Sequence, residues 1–374
     1  MKKFIITFII FCSGKFVSAQ PNDESMITPF WDFYSDNHLS AVATGKGITG
    51  IASKNDISGI LLNPASLNFE SKDQLHAGTI YKSNVPWLPS LNISDLSLRE
   101  VYPTIFGGFG YKINKNFQTG FVYHNNSSFL FDLGEVIRTN EFGEVLDRYE
   151  AYIRLNVHSF TVPLVVNYNI MSFGFSVTYS LFTGYANAVT TPSNPEGTEA
   201  KASFGKFIPQ FGMQILPTNN LAFGLFLMPG FTQSIEWKTG NGSVSTSNPH
   251  SFPLKLGVGS ELRLKYFNLS LDYNYAHTSA DYRLKDRHDF HFGMEYPVDE
   301  KWTVRSGFYS QKDYRSDNVV WLDAPGSYDQ IFITLGGSLK LKNSTFNLSV
   351  MDSHLFSSGL IKKTQVTGSF SYNF

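Results

Sequence analysis

Residues 364–374 read TQVTGSFSYNF, and the alternation inside that stretch decides the fold. Val366, Phe370, Tyr372 and Phe374 share one parity, while Gln365, Thr367, Ser369, Ser371 and Asn373 share the other. Successive side chains of a strand point to opposite faces, so the stretch is a strand with one apolar and one polar side. The pattern recurs upstream. Phe267, Leu269, Leu271, Tyr273 and Tyr275 oppose Asn268, Ser270, Asp272 and Asn274, and Phe290, Phe292, Met294 and Tyr296 oppose Asp289, His291, Gly293 and Glu295. Phe252, Leu254, Leu256, Val258 and Leu262 oppose Lys255, Gly257, Gly259, Glu261 and Arg263.

Composition says what the apolar faces meet. Charged residues are 16% of the chain, against roughly 25% in soluble domains, while aromatics reach 16%, with 34 Phe and 19 Tyr. The mean hydropathy is only -0.14, and after the first residues no apolar run approaches the ~18 residues of a spanning helix. Alternating strands average their greasy and polar positions together, so these features fit a transmembrane β-barrel. A Lys or Arg on the lipid side at mid-depth would cost roughly 2–4 kcal/mol, and the charges accordingly take the inward parity. A net charge of -1 implies no broad basic surface for nucleic acid.

The two ends of the sequence agree. Ending on the aromatic Phe374, the last strand resembles the insertion signal of bacterial outer-membrane barrels, which implies the barrel assembly machinery as a partner through Phe374 and outer-membrane lipid around the wall. Residues 1–19 carry Lys2 and Lys3, an apolar run over 4–11 and the small-residue site Val17-Ser18-Ala19, the pattern of a secretory signal peptide. The one cysteine, Cys12, lies inside it, so the mature chain is expected to have no disulfide.

After residue 70, fourteen alternating segments are expected, at 74-82, 103-113, 117-131, 149-169, 171-186, 200-215, 220-237, 250-263, 265-277, 286-297, 301-311, 328-341, 343-352 and 364-374. Short turns, such as Asn169-Ile170 and Lys342-Asn343, alternate with long polar links at 83-102, 133-148, 187-199, 238-249, 278-285, 312-327 and 353-363. That is the pattern of an all-β, antiparallel up-and-down barrel, with tight turns and both termini on the periplasmic side and long links outside. Pro229, in a stretch apolar on both faces (225–229), predicts a bulge or kink in the seventh segment.

Residues 20–70 do not alternate. Residues 39–67 read LSAVATGKGITGIASKNDISGILLNPASL, rich in small residues and closing on Asn63-Pro64-Ala65. Small residues, a polar pair and NPA-x-L ahead of the first strand resemble the N-terminal hatch of FadL-like (OMPP1/TodX) hydrophobic-compound transporters, with PorV-type barrels as relatives. FPLKLGVGSEL (252–262) and KWTVRSGFYS (301–310) are similar to phrases of that family. The resemblance implies three parts: a signal peptide at 1–19, a hatch at 20–70 and a barrel at 71–374. It implies an outer-membrane protein that passes hydrophobic small molecules, of the long-chain fatty acid type, through a plugged barrel. Release is sideways, through a gap beside a kinked strand. A docking or shuttle barrel for exported proteins is the alternative.

Asn63, Pro64 and Ala65 are candidate hatch or ligand residues. An Asn-Pro pair also starts a turn and offers a side-chain cap, which would anchor the plug. The apolar first link, which contains Trp87 and Leu88, is the candidate surface docking site. Gly45, Gly47 and Gly50 are no phosphate loop, since neither a preceding strand nor a following Gly-Lys-Ser/Thr exists; close packing of plug backbone against the wall accounts for them. Asp289 and His291 share a face, as a barrel lipid hydrolase would need, but lack a nucleophile and read as packed polar interior. His288 has the opposite parity to His291, so the two do not converge on a metal. No enzyme activity, cofactor or metal is read.

Overall fold

The computed structural model describes residues 25–26, 38–54, 57–67, 73–85, 97–99, 104–139, 145–188, 198–239, 244–279, 283–317, 320–321, 329–356 and 362–374. The alternating segments become one sheet. Its strands are β1 (Gln74–Val85), β2 (Thr104–Lys112), β3 (Phe117–Thr139), β4 (Val145–Tyr168), β5 (Met171–Ala188) and β6 (Thr198–Thr218). Two interrupted strands follow: β7 is Leu221–Met228 and Phe231–Thr239, and β8 is Val244–Phe252 and Leu254–Arg263. β9 (Asn268–His277), β10 (Arg287–Pro297), β11 (Trp302–Gln311), β12 (Gln330–Leu341), β13 (Ser344–Asp352) and β14 (Lys362–Asn373) complete the wall.

Each strand pairs antiparallel with the next, and β14 pairs with β1 from Lys362↔Val85 to Asn373↔Gln74, which closes the sheet. The result is a closed fourteen-strand barrel with Ser97–Arg99 as a short extra strand beside β3. Fourteen is the number that the alternation predicts. The tight hairpins β4–β5 and β12–β13 turn on Asn169 and Lys342, at φ of 51° and 50°. Positive φ is what short hairpins need, because it matches the twist of the flanking strands.

Burial follows parity. In β14, Gln365, Thr367 and Ser371 are buried, while Tyr372 and Phe374 are exposed. Leu271, Phe290, Leu335 and Leu348 also stand outward, each with more than half its surface exposed. Inside, hydroxyls and amides pair with one another: Thr161 with Thr178 at 2.8 Å, Ser159 with Ser180 at 2.8 Å, and Asn347 donates to Ser369 at 3.1 Å. A barrel with this parity, with no second layer over its greasy face among the described residues, is stable where that face meets lipid.

Some boundaries differ from the expectation. The link expected over 133–148 is largely strand, since β3 runs to Thr139 and β4 starts at Val145. Their ladder shifts register between Asn125 and Ser127 and again between Asp132 and Glu135. A bulge reverses parity, so the alternation fades there although the pairing continues. The β8 strand likewise begins at Val244, inside the link expected over 238–249.

Phe374 donates its N–H to the Asp73 carbonyl at 3.2 Å, on the rim of the short turns. Ser25–Met26 instead pair in parallel with Val320–Trp321, in the long link between β11 and β12. Expectations for residues 1–19 lie outside the described residues.

Candidate functional site

Residues 38–54 and 57–67 lie within the barrel. Ser40 caps the short helix α1 (Ala41–Gly45), its Oγ accepting the Ala43 N–H at 3.2 Å. Small residues are needed because backbone meets backbone here. A Cβ on Gly45 would stand 3.0 Å from Gly336 Cα, and one on Gly47, at φ +65°, would stand 2.4 Å from the Phe292 carbonyl oxygen. Close packing is therefore the role of these glycines, as the sequence reading has it. Three apolar patches weld the segment to the wall: Ile57, Ile60 and Leu67 on Val122 and Val165; Ile48 on Tyr309, Phe332 and Met351; Leu39 on Ile80 and Phe106.

Polar clasps complete the attachment. Asp272 Oδ2 accepts the N–H groups of Gly50 and Ile51 at 2.7 and 2.9 Å. Ser53 donates to Glu261, which also holds Arg263 at 2.8 Å and faces Lys46 at 3.8 Å. Asn63 sits fully buried at the far end. Its Oδ1 caps the Pro64–Ser66 turn by accepting the Ala65 N–H at 2.9 Å, and its Nδ2 donates to the carbonyls of Ile51 at 2.7 Å and Met213 at 3.2 Å. Pro64 and Ala65 pack against Gly174 and Gly212 of β5 and β6. Asn63, Pro64 and Ala65 thus form one tightly bonded turn, and none of them lines the cavity described next. Trp87 and Leu88 lie outside the described residues.

Between this segment and the rim of the long links is a cavity of about 390 Å³, within the usual range for small-molecule sites. Leu39, Ala43, Ile48, Leu61 and Leu62 form its base. An aromatic arc forms one side: Phe182 stacks on Phe204 at 5.0 Å, Phe204 meets Phe252 edge-on at 6.1 Å, and Phe252 stacks on Phe231 at 4.5 Å. Phe226, Met228 and Ile235 extend that arc, and Lys206 and Lys255 also line the cavity. Sequence reasoning missed these residues. The signal was there, because Phe182, Phe204 and Ile208 are greasy side chains at the wet parity of their strands.

The opposite side is polar. His291 Nδ1 donates to the Gly47 carbonyl at 2.8 Å, and Nε2 is 2.9 Å from Asn274 Nδ2, which makes Nε2 the acceptor. The ring lies flat on Tyr309 at 5.3 Å. Asp289 takes Arg287 Nε at 2.6 Å. Both ring nitrogens of His291 are engaged in hydrogen bonds within the protein. His288 points the other way, with Nδ1 at 2.7 Å from the Tyr273 hydroxyl. Among the described residues no cluster of three or more His, Cys, Asp or Glu could hold a metal ion.

The backbone ladder is not continuous beside the aromatic arc. The β6–β7 ladder reaches Phe211↔Leu227 and resumes only at Lys201↔Lys238 and Thr239↔Ala200. Among the described residues no ladder pair joins 202–210 of β6 to 228–237 of β7. The kink expected at Pro229 is the strand break at Pro229-Gly230, which lies beside this interruption.

These features define a membrane-spanning β-barrel with its amino-terminal segment folded inside and an apolar cavity above that segment. Its fold is that of the FadL-like hydrophobic-compound transporters. The toluene transporter TodX of Pseudomonas putida matches with a TM-score of 0.63 at 13% identity, over 91% of this chain and 98% of that one. The Ralstonia pickettii toluene transporter TbuX gives 0.63 at 14%, over 90% and 97%. A Pseudomonas aeruginosa FadL homologue gives 0.61 at 11%, over 91% and 99%. At such identities the likeness is one of fold. No protein-family model matches the chain, and no curated protein matches its sequence.

Proposed function

We propose that this chain is an outer-membrane channel for hydrophobic small molecules, and that its cavity is the internal binding station. The observation that carries this reading is the largely apolar cavity between Leu39, Ala43, Ile48, Leu61 and Leu62 and an arc of phenylalanines, inside a barrel whose other inward side chains are polar or packed against the inner segment. A wet lumen has no need of such an arc, whereas a station for an apolar solute does. The fold shared with two toluene transporters supports the same class of cargo.

A long-chain fatty acid-type ligand is the finer form of the proposal. Its tail follows Phe182, Phe204 and Phe252, and its carboxylate meets Lys206 and Lys255, which line the same cavity. Docking of exported proteins would use the long links, most of which lie outside the described residues, so no geometry favours it here. The test is ligand binding to the purified barrel by native mass measurement, with hexadecanoate and toluene as probes. Retention of either supports the channel; retention of hexadecanoate that falls in a Lys206→Gln, Lys255→Gln variant supports the fatty acid form. A barrel that retains neither probe overturns the proposal.

A further inference from the structure

The outer face of β4–β7 carries one charged row. Arg154 pairs with Tyr185, Tyr185 with Lys201, and Lys201 with Lys238, so four adjacent strands contribute to a single ladder row. Directly paired residues of neighbouring strands stand on the same face. That face is the outer one, because Arg154 has the parity of the exposed Phe160 and Leu164, and Lys201 that of the exposed Phe207 and Phe211. Lys201 has 67% of its side chain exposed, Lys238 is exposed and Arg154 is half-buried. By contrast, Glu261, Asp272 and Arg305 point inward and are bonded there.

The row stands above the apolar band. On β4 the nearest outward apolar side chain below it is Phe160, six residues from Arg154, with Asn156 and His158 at the same parity between them. On β6 it is Phe207, six residues from Lys201, with Ser203 and Gly205 between. At a rise of ~3.3 Å per residue and a tilt of ~40°, six residues climb about 15 Å. That height is beyond the acyl chains and within the headgroup layer, where an outward lysine or arginine costs little. The rim is the one that carries the long links, which the sequence reading puts outside, so the headgroups are those of the outer leaflet.

Lys201 and Lys238 are directly opposite each other, and like charges so placed destabilise a sheet unless an opposite charge sits between them. Glu199 answers Lys201 at 3.3 Å and also accepts the Tyr185 hydroxyl at 3.1 Å. The Lys201 ammonium lies 5.5 Å from the centre of the Tyr185 ring. Among the described residues Lys238 has no ion-pair partner, although the exposed Glu236 stands two residues along the same face. An anion held by both lysines would lie across the pairs Lys238↔Lys201 and Thr239↔Ala200, which join β6 to β7 at this height.

The mixture of signs selects the occupant. A bare anionic headgroup gains from Arg154, Lys201 and Lys238 but is repelled by Glu199 and Glu236. A phosphorylated sugar uses every group. Its phosphate takes charge-assisted hydrogen bonds from lysine and arginine, its hydroxyls donate to the carboxylates, and its ring lies on the flat face of Tyr185.

We propose that Arg154, Tyr185, Lys201 and Lys238 form a docking row on the outside of the barrel for the phosphorylated sugar headgroup of an outer-leaflet glycolipid, with one phosphate shared by Lys201 and Lys238. The row is separate from the channel reading, since none of these four residues lines the cavity.

The test is retention of added lipid by the purified full-chain barrel in native mass measurement. The probes are a diphosphorylated, acylated glucosamine disaccharide, the same lipid with its phosphates removed, and phosphatidylglycerol. The parent is expected to retain the first at least tenfold better than either of the others. Equal retention of phosphatidylglycerol overturns the proposal in favour of unselective attraction of anionic lipid, and equal retention of the dephosphorylated lipid removes the shared phosphate.

Variants place the contact. Lys201→Gln, Lys238→Gln is expected to lower retention of the phosphorylated probe at least tenfold, and Lys201→Arg, Lys238→Arg to keep it. The matched loss of two exposed lysines on the short-turn rim, Lys265→Gln, Lys301→Gln, should change nothing. Glu199→Gln is expected to weaken the glycolipid several-fold and to strengthen phosphatidylglycerol. Retention indifferent to the lysine pair, or lost equally in the short-turn control, overturns the docking row. The comparison of the three probes on the parent decides the proposal even where a variant fails to fold.

Discussion

The carboxylate of Asp272 in β9 accepts the backbone N–H of Gly50 at 2.7 Å, across 222 residues of sequence. The same oxygen takes the Ile51 N–H, so one side chain of the wall holds two consecutive peptide groups of the inner segment. Replacement Asp272→Ala leaves both N–H groups buried without their acceptor, at about 1–3 kcal/mol each. The expected outcome is a lower temperature for loss of the compact band in heat-modifiability electrophoresis, together with bursts of conductance in planar bilayers as the segment loosens. A variant as silent and as heat-stable as the parent would remove this clasp from the account.

Asn63 supplies both an acceptor and two donors, and substitutions separate them. Asn63→Ala loses all three bonds, of which the cap alone contributes about 0.5–2 kcal/mol. Asn63→Asp keeps the cap but points a carboxylate at the Ile51 and Met213 carbonyl oxygens. It is expected to destabilise more than alanine does, as read by thermal unfolding of the two purified barrels. The reverse order would show that the cap dominates.

The outward face tolerates no charge at mid-depth. Leu348 stands outward midway along β13, between the inward Asn347 and Ser349. Leu348→Lys is expected to lower folding stability in lipid vesicles by about 2–4 kcal/mol, measured by denaturant titration. An effect under a few tenths of a kcal/mol would place that face against water or protein.

Asp286 lies outside the spanning strands. Burial opposes its ionisation, but hydrogen bonds from Ser279, from the Tyr275 hydroxyl at 2.6 Å and from His277 outweigh that and hold its carboxyl below the usual carboxylate range. A lowered value in the folded state means that the clamp is fully present above the unfolded value of about 3.9 and erodes as the pH falls below it. Protease cutting in the 278–285 link is expected to stay flat from neutrality to about pH 4 and to rise only below it. In Asp286→Asn it should be raised at every pH. A parent protein with a flat profile contradicts the clamp.

Phe374 is exposed at the end of β14, with its ring 6.2 Å from that of Tyr372. Deleting it is expected to lower the amount of heat-modifiable barrel recovered from the outer membrane, while the purified, refolded barrel melts as the parent does. Equal loss in both measurements would make Phe374 a packing residue rather than a recognition signal for assembly.

What the sequence determined by itself is the wall. Alternation such as that of Thr364–Phe374 needs only neighbours in the chain, and it places every β14 side chain on its correct face and the strand count at fourteen. It also marks Gly45 and Gly47 as points of close backbone approach, since glycine is the local signature of such contact. Where a bulge reverses parity after Asp132, local reading lost the strand although the ladder went on. The tertiary structure alone decided the rest. That Asp272 meets Gly50, that Phe182, Phe204, Phe231 and Phe252 converge on one cavity, and that β6 parts from β7 beside them all depend on closing the sheet around the inner segment. Parity says that a side chain points inward; only closure says what it finds there.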